Sequence, residues 1–147
     1  MQLVAAPSEN SYEQFYNGEC INRGAVKDNK IRLLLVDDQI STRRALKALF
    51  TYEPRIEVIG EAGDGKGAIR LAGELRPDLI LMDVKMPVMD GIEATKQIKS
   101  ASPAIKIVVY TMYSGSQKEA YQAGADYFLI KGSQGFTPTQ IILSFFP

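Results

Sequence analysis

The chain has 147 residues, of which 46% are apolar and 23% charged, proportions that suit one globular domain better than two. Seventeen basic residues balance seventeen acidic ones, so no net field draws nucleic acid or anionic lipid. Histidine is absent and Cys20 is the sole cysteine, which excludes an imidazole base or phospho-carrier, an internal disulfide and a cysteine-cluster zinc site. Chemistry must rest on carboxylates, hydroxyls and lysines, with a hard metal held through oxygen left open. No apolar run reaches the roughly 18 residues that cross a bilayer, and Met1–Pro7 lacks the basic flank of a secretory signal; the expected location is cytosolic, with no membrane contact.

Residues 1–30 read as a flexible extension. Ser8, Asn10, Ser11, Asn17, Gly18, Asn22, Gly24 and Asn29 interrupt every period, and three basic residues face four acidic ones. Tyr12, Phe15 and Tyr16 offer at most a short docking element. From residue 31 to 147 the pattern is regular. Ile31–Val36 is a strand that is apolar apart from Arg32 and ends at Asp37-Asp38. Leu46, Leu49 and Phe50 recur at helical spacing behind Ser41 or Thr42 as N-cap. A second strand covers Ile56–Ile59, and Ala68, Ile69, Leu71, Ala72 and Leu75 mark a second helix. A third strand, Leu79–Met82, precedes a helix from Gly91 to Ser100. Ile105–Tyr110 is a fourth strand, followed by a short helix near Gln117–Ala123. Tyr127–Ile130 is the fifth, and Thr137-Pro138-Thr139-Gln140 opens a last helix as a capping box.

Five apolar strands alternating with helices predict an α/β fold, a doubly wound parallel sheet ordered 2-1-3-4-5 with helices on both faces. Right-handed crossovers align the C-terminal ends of the strands along one edge, where ligands bind in such sheets. Four strands end in reactive polar residues: Asp37-Asp38, Asp83, Thr111 and Lys131. Each alone is an ordinary cap, turn or solvated residue. Together they form a phosphoryl receptor. Oxygen-only ligands select Mg²⁺, the ammonium neutralises phosphoryl charge, and the hydroxyl donates a hydrogen bond. Asp83, at the end of the central strand, is the expected nucleophile.

These residues, with the segment Asp83-Val84-Lys85-Met86-Pro87-Val88-Met89-Asp90-Gly91, resemble the receiver domain of two-component response regulators over about residues 31–146. Thr111-Met112-Tyr113 and Ala123-Gly124-Ala125-Asp126 look most like the subfamily that carries a C-terminal helix-turn-helix, here without that output domain. The resemblance implies a flavodoxin-like fold and a phosphoryl group taken from a sensor histidine kinase or phosphotransfer protein onto Asp83. Mg²⁺ would be held by Asp38, Asp83 and the Lys85 carbonyl, with Asp37 in support. It further implies Thr111 as the switch hydroxyl and Lys131 as the phosphoryl-binding lysine. The face of the fourth helix, fifth strand and fifth helix would serve a homodimer or an output protein. Such a chain is a phosphoacceptor rather than an enzyme, and no direct contact with nucleic acid is expected.

Several features depart from that pattern. Thr111 and Lys131 stand 20 positions apart, closer than is usual. Phe128 replaces the commoner tyrosine, while neighbouring Tyr127 points to the other face. Gly132 stands where proline often follows the lysine. The apolar end, Ile141, Ile142, Leu143, Phe145 and Phe146, is expected either to pack as an ordinary buried helix or to be covered by a partner; the chain reads as stand-alone or as a truncated DNA-binding regulator. A receiver-shaped module that is never phosphorylated is the other alternative. Gly60, Gly65 and Lys66 nearly spell a P-loop, and Gly63, Gly65 and Ala68 with Asp83 loosely fit a dinucleotide fingerprint. Gly67 lacks the Mg²⁺-binding hydroxyl, however, and Glu61 and Asp64 would repel a polyphosphate. An aspartate-nucleophile phosphatase would need an acid where Lys85 stands.

Met112 is bulky where many receivers carry a small residue, and it is expected to restrict water reaching an acyl phosphate on Asp83. Met112→Ala should shorten the lifetime of the phosphorylated protein; an unchanged lifetime removes that role.

Overall fold

The computed structural model describes residues 13–16, 19–22 and 29–147. Near the N-terminus, β1 (Glu13–Tyr16) and β2 (Glu19–Asn22) pair antiparallel, with Glu13 opposite Asn22 and Tyr16 opposite Glu19. Of the aromatic residues considered for docking, Phe15 and Tyr16 fall on β1, opposite Cys20 and Glu19, whereas Tyr12 and most of the remaining expected extension lie outside the described residues.

Residues 31–147 form a compact unit. Its strands are β3 (Ile31–Val36), β4 (Ile56–Ala62), β5 (Leu79–Met82), β6 (Lys106–Thr111) and β7 (Tyr127–Ile130). They form one parallel sheet in the order β4-β3-β5-β6-β7, which is the 2-1-3-4-5 order expected. The intervening helices are α1 (Ile40–Thr51), α2 (Gly65–Leu75), α3 (Gly91–Ala101), α4 (Gln117–Gln122) and α5 (Pro138–Ser144), with a 3₁₀ turn at Ser114–Ser116 leading into α4.

Strand alternation divides the core into two layers. Leu34, Val36, Ile80, Met82, Ile107, Val109 and Phe128 pack against Ala68, Ala72, Ala94, Ile98 and Ala120 of α2, α3 and α4. Ile31, Leu33, Leu35, Leu79, Leu81, Val108 and Leu129 pack on the other face against Leu46 and Phe50 of α1 and Ile141 and Ile142 of α5. Tyr127 leans on this second layer while Phe128 enters the first, as alternation requires. Leu143, Phe145 and Phe146 also rest on the second layer, so the apolar end packs on its own sheet. Among the described residues no helix is long and apolar enough to cross a membrane.

Two local details correct the sequence reading. β4 continues to Ala62 through a bulge: Leu33 pairs with Val58, but Leu34 pairs with Gly60, leaving Ile59 as the extra residue. The bulge reverses the alternation. Ile56 and Val58 face the α1–α5 layer, whereas Ala62 enters the opposite layer, and Glu61 is turned toward α1. In addition, α1 begins at Ile40 rather than behind Ser41 or Thr42, and Gln39 makes no side-chain cap bond. The Asp37 carboxylate accepts the Gln39 N–H at 2.9 Å instead and turns the chain two residues earlier. The capping box at Thr137 and Gln140 forms as read.

The α3–β6 and α4–β7 connections are tied by Asp126, whose carboxylate accepts both the Ile107 N–H and the Lys99 ammonium, at 2.8 and 3.0 Å. Thr95, fully buried on α3, has a hydroxyl without a hydrogen-bond partner. A buried unpaired hydroxyl costs on the order of 1–3 kcal/mol. Thr95→Val should therefore raise stability by about 1 kcal/mol, seen as a higher urea midpoint at unchanged slope.

Candidate functional site

The parallel register sets the site. Val36 of β3 and Met82 of β5 are paired, so Asp37 and Asp83 emerge side by side, and the Asp83 N–H donates to the Val36 carbonyl at 2.9 Å. Thr111 ends β6 opposite Ile130, and its carbonyl accepts the Lys131 N–H at 2.8 Å. That pairing delivers the lysine from the chain's last strand to the same edge. Its ammonium donates to Asp37 Oδ2 at 2.6 Å and Asp83 Oδ2 at 3.1 Å.

Asp37 is held at every polar atom. Its N–H donates to the Ala62 carbonyl, its carbonyl accepts from Arg43, and its two carboxylate oxygens accept from Gln39 and Lys131. Asp83 is held through Val84, whose N–H donates to Oδ1 at 2.8 Å, and through Lys131. Both acids are buried, whereas Asp38 is exposed to solvent. One oxygen from each of Asp37, Asp38 and Asp83 lies within 4.8 Å of the others. Ligands at opposite corners of a Mg²⁺ ion stand roughly 4.2 Å apart, so this all-oxygen donor set fits that ion with little adjustment.

Burial pushes the Asp83 carboxyl above its usual range. The Lys131 ammonium and the Val84 N–H pull it back, and the negative charge of Asp37 adds to the rise. Burial also works against charge on Lys131, but its bonds to Asp37 and Asp83 outweigh that cost and hold the ammonium protonated above its ordinary range. The acids and the base thus stabilise one another's positions in a poorly solvated pocket.

A cleft of about 660 Å³ opens over these groups, lined by Asp38, Thr42, Asp83, Lys85, Met112 and Lys131 among others. Lys85 extends across it, its ammonium 4.5 Å from the centre of the Tyr113 ring. Met112 stands at the rim, 69% exposed. Thr111 is at the expected strand end, but its side chain is fully buried, does not line the cleft, and accepts the Tyr113 N–H at a long 3.3 Å. The structure thus gathers Asp37, Asp38, Asp83, Lys85 and Lys131, with Thr111 in the layer beneath. Sequence reading missed Thr42, taken there for a cap, together with Gln39, Tyr113 and Arg43.

The β5–α3 loop fixes the height of Asp83. The Gly91 N–H donates to the Val84 carbonyl at 2.7 Å, and a Cβ on Gly91 would stand 1.8 Å from the Asp83 carbonyl oxygen. Only glycine allows that approach. Val88 turns the loop at φ +70°, with the Met89 N–H donating to the Pro87 carbonyl, a strained γ-turn for a β-branched residue. The Gly-rich stretch considered as a phosphate loop is otherwise engaged: the Gly65 N–H donates to Met89 O and the Gly67 N–H to the capping Asp64 carboxylate. Its N–H groups serve the fold.

Comparison with known proteins agrees with this geometry. Residues 33–142 match the model of the response regulator receiver domain. The transcriptional regulatory protein LiaR of Bacillus subtilis is 49% identical over 106 residues, covering 71% of this chain and 50% of LiaR. The response regulator protein VraR of Staphylococcus epidermidis is 44% identical over 104 residues, covering 69% of this chain and 49% of VraR. The chain thus spans about half the length of the curated relatives it matches. Among solved structures, a LuxR-family two-component response regulator from Aurantimonas superposes with a TM-score of 0.70 at 33% identity, covering 79% of this chain and 82% of that one. The signal receiver domain of NarL from Mycobacterium tuberculosis gives a TM-score of 0.71 at 28% identity, covering 80% and 94%.

The raised Asp83 carboxyl has a measurable consequence. Its unfolded-state value is near 3.8 and its folded value is higher, so protonation of Asp83 favours folding below about pH 4, and that contribution is lost as pH rises through the folded value. At pH 7 with chelator present, Asp83→Asn should melt at a higher temperature than wild type. The gap should close as the pH falls through the carboxylate range; a pH-independent difference would contradict this origin.

Proposed function

The chain belongs to the response regulator receiver family of two-component systems, and from that premise we propose that it is a phosphoacceptor whose acceptor is Asp83. The observation that carries this reading is the meeting of Asp37, Asp83 and Lys131 at one strand edge, with Asp38 within carboxylate reach. A sensor histidine kinase or phosphotransfer protein would supply phosphohistidine. An Asp83 oxygen attacks phosphorus, the O–P bond forms as the N–P bond breaks, and the electron pair returns to the imidazole nitrogen. Mg²⁺, when bound, offsets the charge on the phosphoryl oxygens.

Asp38 and Asp83 would hold that ion, with the Lys85 carbonyl, and Asp37 would support it while holding Lys131. Lys131 keeps its proton and is free to move from the carboxylates to a phosphoryl oxygen. Val84 fixes the Asp83 carboxylate through its N–H. Thr111 is the proposed switch: its 3.3 Å bond to Tyr113 is weak, so releasing the hydroxyl toward a phosphoryl group costs little. That release would be felt by the loop leading to α4 and by the face formed by α4, β7 and α5, the proposed surface for an output protein or second copy. In this reading the protein is a signalling phosphoacceptor of the cytoplasm, not an enzyme. The name of LiaR, a transcriptional regulatory protein, supports placing this receiver in control of transcription. The convergence of acids and lysine argues against a receiver that is never phosphorylated.

Incubation with Mg²⁺ and a small phosphodonor, followed by intact mass, tests the reading. Wild type should gain about 80 Da and Asp83→Asn should not. No gain with any donor would return the module to a purely interacting role.

A further inference from the structure

Arg43, on the first turn of α1, is not among the acids and lysine of the cleft, yet it grips their scaffold. Its Nη1 donates to the Asp37 carbonyl at 2.5 Å and its Nε to Glu61 Oε1 at 2.9 Å. The side chain is 16% exposed, so both bonds form largely away from solvent. Glu61 also accepts the Lys47 ammonium at 2.6 Å. These bonds to Lys47 and Arg43 hold its carboxyl below the usual range, so Glu61 stays charged and offsets the guanidinium. The β4 bulge at Ile59 is what turns Glu61 to this side of the sheet.

The carbonyl that Arg43 holds belongs to the peptide joining Asp37 to Asp38. Rotation of that peptide plane would swing Asp38, whose own side chain makes no hydrogen bond or ion pair among the described residues and lines the cleft. We propose that Arg43, braced by Glu61, is a positioning residue that fixes the Asp37–Asp38 peptide so that Asp38 and Asp83 share one divalent cation. The inference rests on the Mg²⁺ reading above and adds to it a residue that touches neither ion nor phosphoryl group. Lysine cannot replace it, because a single ammonium lacks the rigid fork that reaches Glu61 and the carbonyl together.

Two effects of Arg43 on Mg²⁺ have opposite signs. As a bare positive charge near the acids it would weaken cation binding, and its removal would tighten binding. As a brace it would strengthen binding, and its removal would loosen it. Groups that orient ligands from behind are typically worth about 10–100-fold in metal affinity.

Calorimetric titration of Mg²⁺ into the full chain distinguishes them, with melting temperature in chelator measured on the same samples. Arg43→Ala should lose about tenfold in affinity. Arg43→Lys should not restore it, and Glu61→Gln should show a smaller loss in the same direction. The double variant should be no weaker than Arg43→Ala alone. A lowered melting temperature with unchanged or tighter Mg²⁺ binding overturns the proposal and leaves Arg43 a structural residue. Should Arg43→Ala fail to fold, Glu61→Gln decides: wild-type affinity there overturns it equally. Failure of wild type itself to bind Mg²⁺ would instead remove the metal reading on which the proposal stands.

Discussion

One ammonium holds the site together. Lys131 reaches Asp37 and Asp83 across sequence separations of 94 and 48 residues, distances that only the completed sheet can close. Two buried carboxylates at adjacent strand ends repel, and each is costly to desolvate. The lysine offsets part of that cost, though burial still dominates at Asp83, and the acids in turn keep the lysine charged against its own burial. The parallel sheet presents these three groups. β3 and β5 carry the acids in register, and β7 brings the base through the pairing of Thr111 with Ile130.

Behind the triad stands a second tier of bonds to backbone. Gln39, Ala62 and Arg43 clamp the main chain and carboxylate of Asp37, while Val84 and Gly91 set Asp83. This tier draws on both faces of the sheet, since Arg43 rides on α1 whereas Gly91 opens α3. The carboxylates are therefore oriented by the fold before any ligand arrives, which is the condition under which electrostatic stabilisation of a transferring group is most effective.

Most of this architecture is readable from residue order. β3, β5 and β7 have the residue limits that their apolar runs predict, because a strand buried on both faces reads as a nearly continuous apolar run, broken in β3 by Arg32 alone. The acids and Lys131 are legible because a parallel sheet puts all such ends on one edge. Other features depend on contacts that no local window contains. The β4 bulge leaves no composition signal, so Glu61 reads as a turn residue although it faces α1. Thr42 looks like a cap because the sequence does not show Asp37 performing that turn. Thr111 is recognisable by type and place, but the direction of its hydroxyl is decided by the Tyr113 backbone. Arg43 is one of two adjacent arginines, and only the geometry separates it from Arg44.

The close approach of Gly91 to the Asp83 carbonyl has a mechanical meaning. With no side chain between them and a 2.7 Å bond from Gly91 to Val84, strand end and helix start have no slack to take up. A shift of the acid's main chain would be handed on to α3 nearly undiminished, as a rod carries a push from one end to the other.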